Sequence, residues 1–489
     1  MKLLSLAIVV AFAAGISSCR YAALGVRPEL NHQASVLAGL RFPIEIAGQP
    51  PHRMDLRDRM REYHVPAVSI AVIHGNRIEW TAAIGRKRGD SPDSISSETI
   101  MQAASISKPL VATAIMRLVD RGTLSVSDSA NLWLKSWKIP SNAFTMQTPV
   151  RVEHLLSHTA GATNGAVGIY TPGTAVPTLL QALDSTPPSN RPPVRIDTRP
   201  GTEWRYAGGG YSILQQMLID ITRSPFPELM SNLVLSPVGM SSSCFCQPLP
   251  DSLAPRAAAG HDADGKPIAG GWWTLPEMAA GGLWTTAGDL AHFMIAINRA
   301  WAGGSDALLR KATARSMLTP VMGGWGLGFA VDTLGTELRY SHTGSNNGYR
   351  SVFVGYPERG DGIVILTNGD GGASLRDEII RSAAVEYGWP GYAVDVRATN
   401  ATANASLDDF AGRFQYAPRF VSTFTVSGDS LVGALNNSPP IRLYPQAKDV
   451  FFTLVGSTYR FIRGAGGAVE SVSVLGVGSS ELRGRRLGP

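Results

Sequence analysis

Two short hydrophobic segments near the beginning of the chain predict a β-hairpin. Residues 68–73 (VSIAVI) and residues 78–84 (IEWTAAI) are rich in β-branched and aromatic side chains, which favour strands. The four residues between them, 74–77 (HGNR), contain the Gly and Asn that are typical of a tight hairpin turn. We therefore expect two antiparallel strands in this region.

The spacing of apolar residues changes from that of a strand to that of a helix after Ser105. Positions 106, 110, 111, 115, 118 and 119 are apolar, and this spacing predicts a helix that begins at Ser105 and ends at Gly122. Farther along, residues 286–289 (TAGD) have the form of a capping box and predict a helix around residues 290–297.

Strand patterns return in the last part of this region, at residues 338–342, 350–356 and 363–366, followed by a predicted helix at about 374–387. Short amphipathic segments and Pro/Gly-rich loops fill the middle of the chain. Because strands come first and last with helices between them, we expect one α/β (α+β) domain. Its sheet is completed by both ends of the domain, is flanked by helices and has a helical insertion.

The end of the chain has a different pattern. Residues 395–407 are rich in Ala, Thr, Asn and Ser, which is typical of a linker. From Leu407 onward, Phe, Val and Leu alternate with polar residues between Gly- and Asn-rich turns, which predicts a small all-β module. The expected parts are a signal peptide (1–18), a linker (19–45), the main domain (46–395), a second linker (396–406) and a C-terminal β-rich domain (407–489).

Composition narrows the function classes only slightly. The chain has 489 residues, of which 44% are hydrophobic and 17% are charged, and its formal net charge is +6. These values are typical of a folded globular protein. The positive charge is spread along the chain without a dense Lys/Arg run and interleaved aromatic residues, so we expect no nucleic-acid partner.

The N-terminus predicts export to the bacterial cell envelope. Lys2 precedes an apolar segment, residues 3–16, which has the length of a signal peptide. The segment ends in Ser17-Ser18-Cys19, which resembles the lipobox of bacterial lipoproteins. We expect a lipid anchor on Cys19 and a location in the periplasm or on the membrane. Plain secretion with an incidental Cys19 is the alternative.

The other two cysteines, Cys244 and Cys246, are separated by one residue. An extended backbone would place their Cα atoms near the upper limit of about 6.8 Å for a disulfide, so pairing needs a tight turn. A disulfide and two buried free thiols both remain open. A C-x-C pair without nearby His or Cys is poor evidence for zinc.

The first candidate chemistry is the pair Ser105 and Lys108 in the sequence Ser-Ile-Ser-Lys. This spacing places a hydroxyl and an amine one helical turn apart on the same face. Serine is a poor nucleophile until a base takes its proton, and a lysine amine can be that base where its surroundings favour the neutral form. Taken alone, such a pair is expected by chance in a chain of this length.

Two further segments give the pair a context. Tyr206 lies in a glycine-rich stretch (YAGGGY) that is expected to be a loop opening a helix at Ser212, and His342-Thr343-Gly344 follows at the end of a predicted strand. Order and spacing match the S-x-x-K, Y-x-N and K-T-G motifs of penicillin-recognising serine hydrolases.

The chain therefore resembles the class C β-lactamase-like serine hydrolase family, which includes D-alanyl-D-alanine carboxypeptidases, D-aminopeptidases and esterases. The resemblance runs from about residue 68 to about residue 387 and also covers residues 153–161 and 281–286. It implies a β-lactamase-like fold and hydrolysis of an ester, amide or β-lactam through an acyl-enzyme. It implies a small-molecule or peptide substrate and neither a cofactor nor a metal.

The resemblance also implies roles for individual residues. Ser105 would be the nucleophile, and Lys108 and Tyr206 would share its proton. The oxyanion hole would be formed by the N–H groups of Ser105 and Ser345. Thr343 and Gly344, together with His342, would lie on a strand edge that pairs with an extended substrate.

Two positions depart from the family pattern. Gly208 stands where the family has Asn, and the loss of one such polar contact typically costs about 1–3 kcal/mol. His342 stands where the family has Lys, and a histidine near its reference pKa of about 6.5 is mostly neutral at neutral pH. A neutral imidazole binds a carboxylate less firmly than an ammonium does. We therefore expect a substrate without the carboxylate of penicillins and D-alanyl peptides, such as an ester or an amide.

Three alternatives remain open. A protein that keeps the acyl site but releases nothing would be a penicillin-binding or ligand-sensing envelope protein. His154 and His158 have the i, i+4 spacing of a zinc pair on a helix, although a structural role is favoured because the H-E-x-x-H order is absent. Finally, Trp272, Trp273 and Trp284 could line a substrate groove or belong to the core.

Overall fold

The computed structural model describes residues 31–163, 168–305, 307–400, 406–436, 438–476 and 481–488. The predicted signal peptide and Cys19 lie outside these residues. Within the described ranges, no helix combines the length and the apolar character that crossing a membrane requires.

The α-helices of the described chain are numbered in sequence order. They are α1 His32–Leu37, α2 Leu56–Glu62, α3 Ser107–Asp120, α4 Ala130–Trp133, α5 Ala143–Gln147, α6 Val152–Leu156, α7 Leu179–Asp184, α8 Gly208–Thr222, α9 Phe226–Met230, α10 Met278–Gly281, α11 Ala287–Ala302, α12 Lys311–Met317 and α13 Gly372–Tyr387.

The strands are numbered in the same way. They are β1 Ile44–Ile46, β2 Ala67–His74, β3 Arg77–Gly85, β4 Met101–Ala104, β5 Leu283–Thr285, β6 Ala330–Leu334, β7 Glu337–Asn346, β8 Tyr349–Tyr356, β9 Asp361–Thr367, β10 Asp395–Arg397, β11 Gly412–Ala417, β12 Phe420–Ser427, β13 Ser430–Leu435, β14 Ile441–Ala447, β15 Val450–Phe452, β16 Thr458–Arg463, β17 Val469–Leu475 and β18 Leu482–Arg486.

The main domain is built on a six-stranded antiparallel sheet with the order β3-β2-β9-β8-β7-β6. The N-terminal hairpin joins the later strands through β2 and β9, where Val68 pairs with Thr367. Both ends of the domain therefore complete one sheet, and the predicted fold class, a β-lactamase-like α/β (α+β) arrangement, is confirmed. The predicted hairpin, the three later strands and the helix at about 374–387 are all present.

Both faces of this sheet are covered by helices. Along β2, the side chains of Val68, Ile70 and Val72 pack in one hydrophobic cluster with residues of α1, α2 and α13. Ala71 and Ile73 pack in the opposite cluster with residues of α3, α8 and α11. Successive residues of a strand point to opposite faces, so this alternation is what a doubly covered strand requires.

The C-terminal module is a closed eight-stranded barrel formed by β11–β18, which confirms the predicted all-β module. Its interior is aromatic, with Phe410, Phe414, Phe424, Phe451 and Phe461 among its buried side chains. Because β11 pairs with β18, each of the eight described strands has a neighbour on both sides, and the barrel presents no open sheet edge among them.

The barrel contacts the main domain through a two-stranded ribbon, in which β1 and β10 pair in parallel. Ile44 and Ile46 of this ribbon pack with Phe452, and the N–H of Ile44 donates to the carbonyl of Leu454 at 3.3 Å. Residues 396 and 397, the first two of the expected linker 396–406, therefore belong to strand β10. The domain limits at residues 395 and 407 stay a prediction.

The cysteine pair left open by the sequence is a disulfide between Cys244 and Cys246, with a Cα–Cα distance of 5.3 Å. The backbone of Cys244 also pairs with that of Trp284 in β5. Trp284 is fully buried, so this member of the tryptophan group belongs to the core.

Candidate active site

Ser105 lies at a sharp turn between β4 and α3. The preceding Ala104 has a φ of 51°, a left-handed conformation that is unfavourable for alanine. The Ser107 hydroxyl supports this turn, since it donates to the carbonyl of Ala104 at 2.7 Å and accepts from the N–H of Leu283 at 3.0 Å. Helix α3 thus begins at Ser107 and not at Ser105 as predicted, because the turn leaves Ser105 in front of the helix.

Lys108 lies in the first turn of α3, with only 1% of its surface exposed. Its Nζ is 2.9 Å from Oγ of Ser105 and 2.6 Å from the carbonyl oxygen of Ala280 in α10. Within the described residues, no carboxylate forms an ion pair with Lys108. The sequence predicted the contact between Ser105 and Lys108, but the contact with Ala280 connects segments 172 residues apart.

Tyr206 is brought to this pair by the segment that precedes α8. Nζ of Lys108 lies 5.0 Å from the centroid of its ring. On its other sides the ring contacts His158, with centroids 4.3 Å apart, and the edge of Trp325, with centroids 5.6 Å apart. The structure thus brings together the three residues for which the sequence predicted catalytic roles.

The glycine-rich stretch after Tyr206 is not the loop that we expected. Gly208 is the first residue of α8, so the helix begins four residues before Ser212. A Cβ on Gly209 would lie 2.9 Å from the carbonyl oxygen of Thr163 and 2.9 Å from a methyl group of Val194. These glycines therefore allow the first turn of the helix to pack closely against its neighbours.

Residues 342–345 lie at the end of β7, beside the turn that carries Ser105. Strand β6 pairs with β7 only as far as Ser341, whereas β8 pairs with it through Asn346. Among the described residues, His342–Asn346 therefore has a strand on one side only. Thr343 and Ser345 are exposed, so this edge is open to an extended ligand.

Gly344 is the point of closest approach between β7 and β4. A Cβ at this position would overlap with the carbonyl oxygen of Ala103 and with Oγ of Ser351. Oγ of Ser351 donates to the same carbonyl at 2.8 Å. Only glycine allows β7 to come this close to the chain that leads into Ser105.

His342 is buried, with 2% of its surface exposed. Its Nδ1 is 2.7 Å from the carbonyl oxygen of Thr343, which can only accept, so Nδ1 carries the proton. Burial, followed by the charge of Lys108, lowers the pKa of His342 to about 3. The imidazole is therefore neutral at neutral pH, and the position that is Lys in the family pattern has no positive charge.

The structure also shows where the candidate zinc pair and Trp273 lie. His154 and His158 do not share a helix, since α6 ends at Leu156 and His158 has a φ of 61°. In the part of the chain that the structure describes, no group of three or more His, Cys, Asp or Glu side chains is arranged to hold a metal ion. Trp273 is close to the site region, because its Nε1 donates to the carbonyl of Asn347 at 2.8 Å.

Sequence reasoning missed three residues of the site: Ala280, His158 as a neighbour of Tyr206, and Trp325. Ala280 acts through its backbone, so its side chain gives no signal. The ring of Trp325 lies nearly perpendicular to those of His158, Tyr206 and His342, and a single Trp in a loop does not indicate such contacts.

Comparison with known proteins agrees with this geometry. The Beta-lactamase family model matches residues 53–387, which is more than half of the chain. The chain belongs to the beta-lactamase family.

The chain is also similar to Penicillin-binding protein 4 of Amycolatopsis lactamdurans. It is 26% identical to this chain over 68% of the chain and 88% of its own length. Esterase EstB of Burkholderia gladioli is 28% identical, over 42% of this chain and 52% of its own length.

The fold is also shared with a solved structure, the octameric penicillin-binding protein homologue from Pyrococcus abyssi. It aligns with a TM-score of 0.59 and 20% identity, over 88% of this chain and 98% of that chain. The alignment thus extends beyond residues 53–387, and at this identity the likeness concerns the fold alone.

A buried carboxyl belongs to Glu277, three residues before Ala280 in the chain. Glu277 precedes α10, the helix that contains Ala280, and is 2% exposed. Its Oε2 has no hydrogen-bond partner among the described residues. Burial raises the pKa of Glu277 to about 7, although hydrogen bonds from backbone groups and the charge of Arg191 act in the opposite direction.

We predict that substituting Gly344 disturbs the site. Gly344→Ala places a methyl group against Ala103, so it should lower stability by about 1–3 kcal/mol and slow labelling of Ser105 by a fluorophosphonate at least about tenfold. Gly288→Ala is the matched control, because the nearest atom to a Cβ there is 3.9 Å away. Intact-mass kinetics measure the labelling, and an unchanged rate for Gly344→Ala would contradict the close approach.

We further predict a pH-dependent stability contribution from Glu277. Its ordinary pKa of 4.5 applies to the unfolded chain, and folding raises it to about 7. The stability associated with the protonated carboxyl is therefore complete below the unfolded pKa and is lost as the pH rises through the folded pKa. The difference between the two pKa values corresponds to about 3 kcal/mol.

Glu277→Gln should consequently be stabilising at about pH 8 and nearly neutral at about pH 4. Urea denaturation followed by tryptophan fluorescence measures this difference. All 10 tryptophans lie between Trp80 and Trp389, so the signal reports unfolding of the main domain, which contains Glu277. The exposed Glu358 provides the control Glu358→Gln, which should show no such pH dependence. Equal effects of Glu277→Gln at both pH values would disprove the prediction.

Proposed function

We propose that this chain is a serine hydrolase that forms an acyl-enzyme on Ser105. The proposal rests on the distance of 2.9 Å between Nζ of the buried Lys108 and Oγ of Ser105. A serine hydroxyl needs a base within hydrogen-bond distance before it becomes an effective nucleophile. The family membership and the relatives named as a penicillin-binding protein and an esterase support the same reaction class.

The two polar contacts of Lys108 suit a general base. The carbonyl of Ala280 can only accept, so Nζ donates a hydrogen there. Nζ also donates to Oγ of Ser105 in the structure, so action as a base requires the amine to lose a proton first, after which its lone pair is free to accept the hydrogen of the Ser105 hydroxyl. As Oγ bonds to the substrate carbonyl carbon, the proton passes to Lys108. Tyr206 lies beside the amine and can transfer this proton to the leaving group.

The negative charge that develops on the substrate oxygen requires hydrogen-bond donors. The N–H groups of Ser105 and Ser345 are the proposed oxyanion hole, and the close approach at Gly344 brings β7 against the chain that leads into Ser105. Preorganised donors of this kind contribute about 3 kcal/mol or more to lowering a barrier. In the second half of the reaction, a water attacks the acyl carbon while Lys108 and Tyr206 take its proton. The bond between the acyl carbon and Oγ of Ser105 then breaks, the proton passes to Oγ to restore the hydroxyl, and the carboxylic acid product leaves.

We infer that the preferred substrate has no carboxylate at the position where penicillins carry one. The buried His342 is neutral, so position 342 carries no positive charge, and Gly208 provides no side-chain amide. Esters and simple amides fit this environment better than penicillins or peptides ending in D-alanine. An envelope location is proposed from the predicted signal peptide and the penicillin-binding relatives, and lipidation of Cys19 stays a prediction.

Intact-mass analysis after incubation with four probes tests the proposed reaction. The probes are a penicillin, a D-alanyl peptide, a short-chain aryl ester and a fluorophosphonate. We expect a fluorophosphonate adduct that Ser105→Ala abolishes, and the fastest turnover with the aryl ester. An adduct that persists with every substrate would instead indicate a binding or sensing protein, and labelling that survives in Ser105→Ala would exclude this nucleophile.

The substrate preference has its own test. The double variant Gly208→Asn/His342→Lys restores both groups of the family pattern, so kcat/KM for a chromogenic cephalosporin should rise about tenfold or more. Fluorophosphonate labelling of the same variant controls for an intact nucleophile. An efficient wild-type enzyme with no gain in the double variant would refute the preference.

A further inference from the structure

His158 is in an unusual position relative to the proposed catalytic residues. It follows α6 directly and has a φ of 61°, a left-handed conformation that is uncommon for non-glycine residues. The side chain is almost completely buried, and its Nε2 has no hydrogen-bond partner among the described residues. A buried nitrogen without a hydrogen-bond partner is unfavourable, so a function of the contacts that hold His158 in place would explain why this arrangement is retained.

Those contacts enclose Tyr206 on both sides. The carbonyl oxygen of His158 accepts from the N–H of Arg205 at 2.9 Å, and Nδ1 of its ring accepts from the N–H of Ala207 at 3.1 Å. The residues before and after Tyr206 are therefore both bonded to the same histidine. The imidazole also packs against the phenol ring, with centroids 4.3 Å apart.

The hydrogen bond from Ala207 defines the state of the imidazole. Because Nδ1 accepts, the proton of the neutral ring is on Nε2. Burial, followed by the charge of Lys108, lowers the pKa of His158 well below its usual range. The other rings that face His158 are those of Tyr211 and Trp325, at centroid distances of 5.3 Å and 5.2 Å, and neither is charged at neutral pH.

We propose that His158 is a positioning residue that orients Tyr206 for proton transfer with Lys108 and Ser105. The inference rests on the proposed function and extends it to a residue that touches no reacting atom. The centroid of the phenol ring lies 5.0 Å from Nζ of Lys108. A small movement of the segment 205–207 would therefore change the geometry of proton transfer between Tyr206 and Lys108. Acylation and deacylation are both affected, because Tyr206 transfers a proton in each, and substrate affinity is unchanged.

Two substitutions separate the hydrogen bond from the ring. His158→Asn places Oδ1 where Nδ1 lies, so it keeps the acceptor for Ala207, and Asn tolerates a positive φ. His158→Phe keeps an aromatic ring but has no acceptor. We expect His158→Phe to slow fluorophosphonate labelling of Ser105 between about tenfold and about a hundredfold. His158→Asn should recover most of this loss.

His154→Asn is the matched control. His154 is a partly buried histidine whose Nδ1 accepts a backbone N–H as well, from Arg151 at 3.1 Å, but no ring contact connects it with Tyr206 in the described structure. It should label at the wild-type rate. Tryptophan fluorescence during urea denaturation reports the folded fraction of every variant, and rates are expressed per folded molecule.

Two further readouts exclude a purely structural role. With an aryl ester, His158→Phe should lower kcat while KM changes little, and the pH at half-maximal labelling should shift by about half a unit or more. The inference is supported if these changes occur in His158→Phe and are largely reversed in His158→Asn. It is overturned if His158→Phe labels at the wild-type rate or keeps the wild-type pH midpoint, or if His158→Asn is as slow as His158→Phe. Absence of labelling in the wild type itself would overturn the proposed function, and this inference with it.

Discussion

The amine of Lys108 has two polar partners, and most of the site can be understood from how they are provided. Oγ of Ser105 comes from three residues earlier in the chain, whereas the carbonyl of Ala280 comes from a short helix far away in sequence. A buried amine that lost either contact would be left with an unsatisfied hydrogen bond, which is costly in a low-dielectric interior. The core that joins α3, α8 and α10 is therefore also what keeps the proposed base in place.

A second constraint is the close packing of backbone segments around Ser105. The left-handed Ala104 and the absence of a side chain at Gly344 both concern the same few ångströms, where β7 meets the end of β4. One is a strained residue and the other is a residue without a Cβ. Together they allow a hydroxyl, a helix start and an open strand edge to lie side by side. Side-chain identity at 105 and 108 alone would not produce this arrangement.

The sequence predicts those features of the fold and the site that depend on local spacing, and it misses those that depend on contacts between distant segments. Hydrophobic periodicity is local, so it predicted the hairpin at 68–84, the strands around 340–366 and the C-terminal β module. The pair Ser105 and Lys108 was predictable for the same reason, because its spacing is that of one helical turn. The starts of the helices at Ser107 and Gly208 were predicted wrongly. The turn before Ser107 is supported by Leu283, and Gly209 lets α8 pack closely against Thr163, and neither feature is visible in local spacing. Ala280 and Trp325 contribute through a backbone carbonyl and through ring edges, which depend on the folded arrangement and have no sequence pattern.

The electrostatics of the site follow from the same packing. His158 and His342 lie close enough to Lys108 for its charge to lower the pKa of each, and burial has the larger effect on both. Each imidazole thus adds aromatic surface and a hydrogen-bonding nitrogen without adding positive charge. At position 342 this neutrality removes a cation that would attract a carboxylate. At position 158 it keeps Nδ1 available as an acceptor for Ala207, which a protonated ring could not be. Burial of two histidines beside one lysine therefore underlies both proposals, the substrate preference at position 342 and the orientation of Tyr206 by His158.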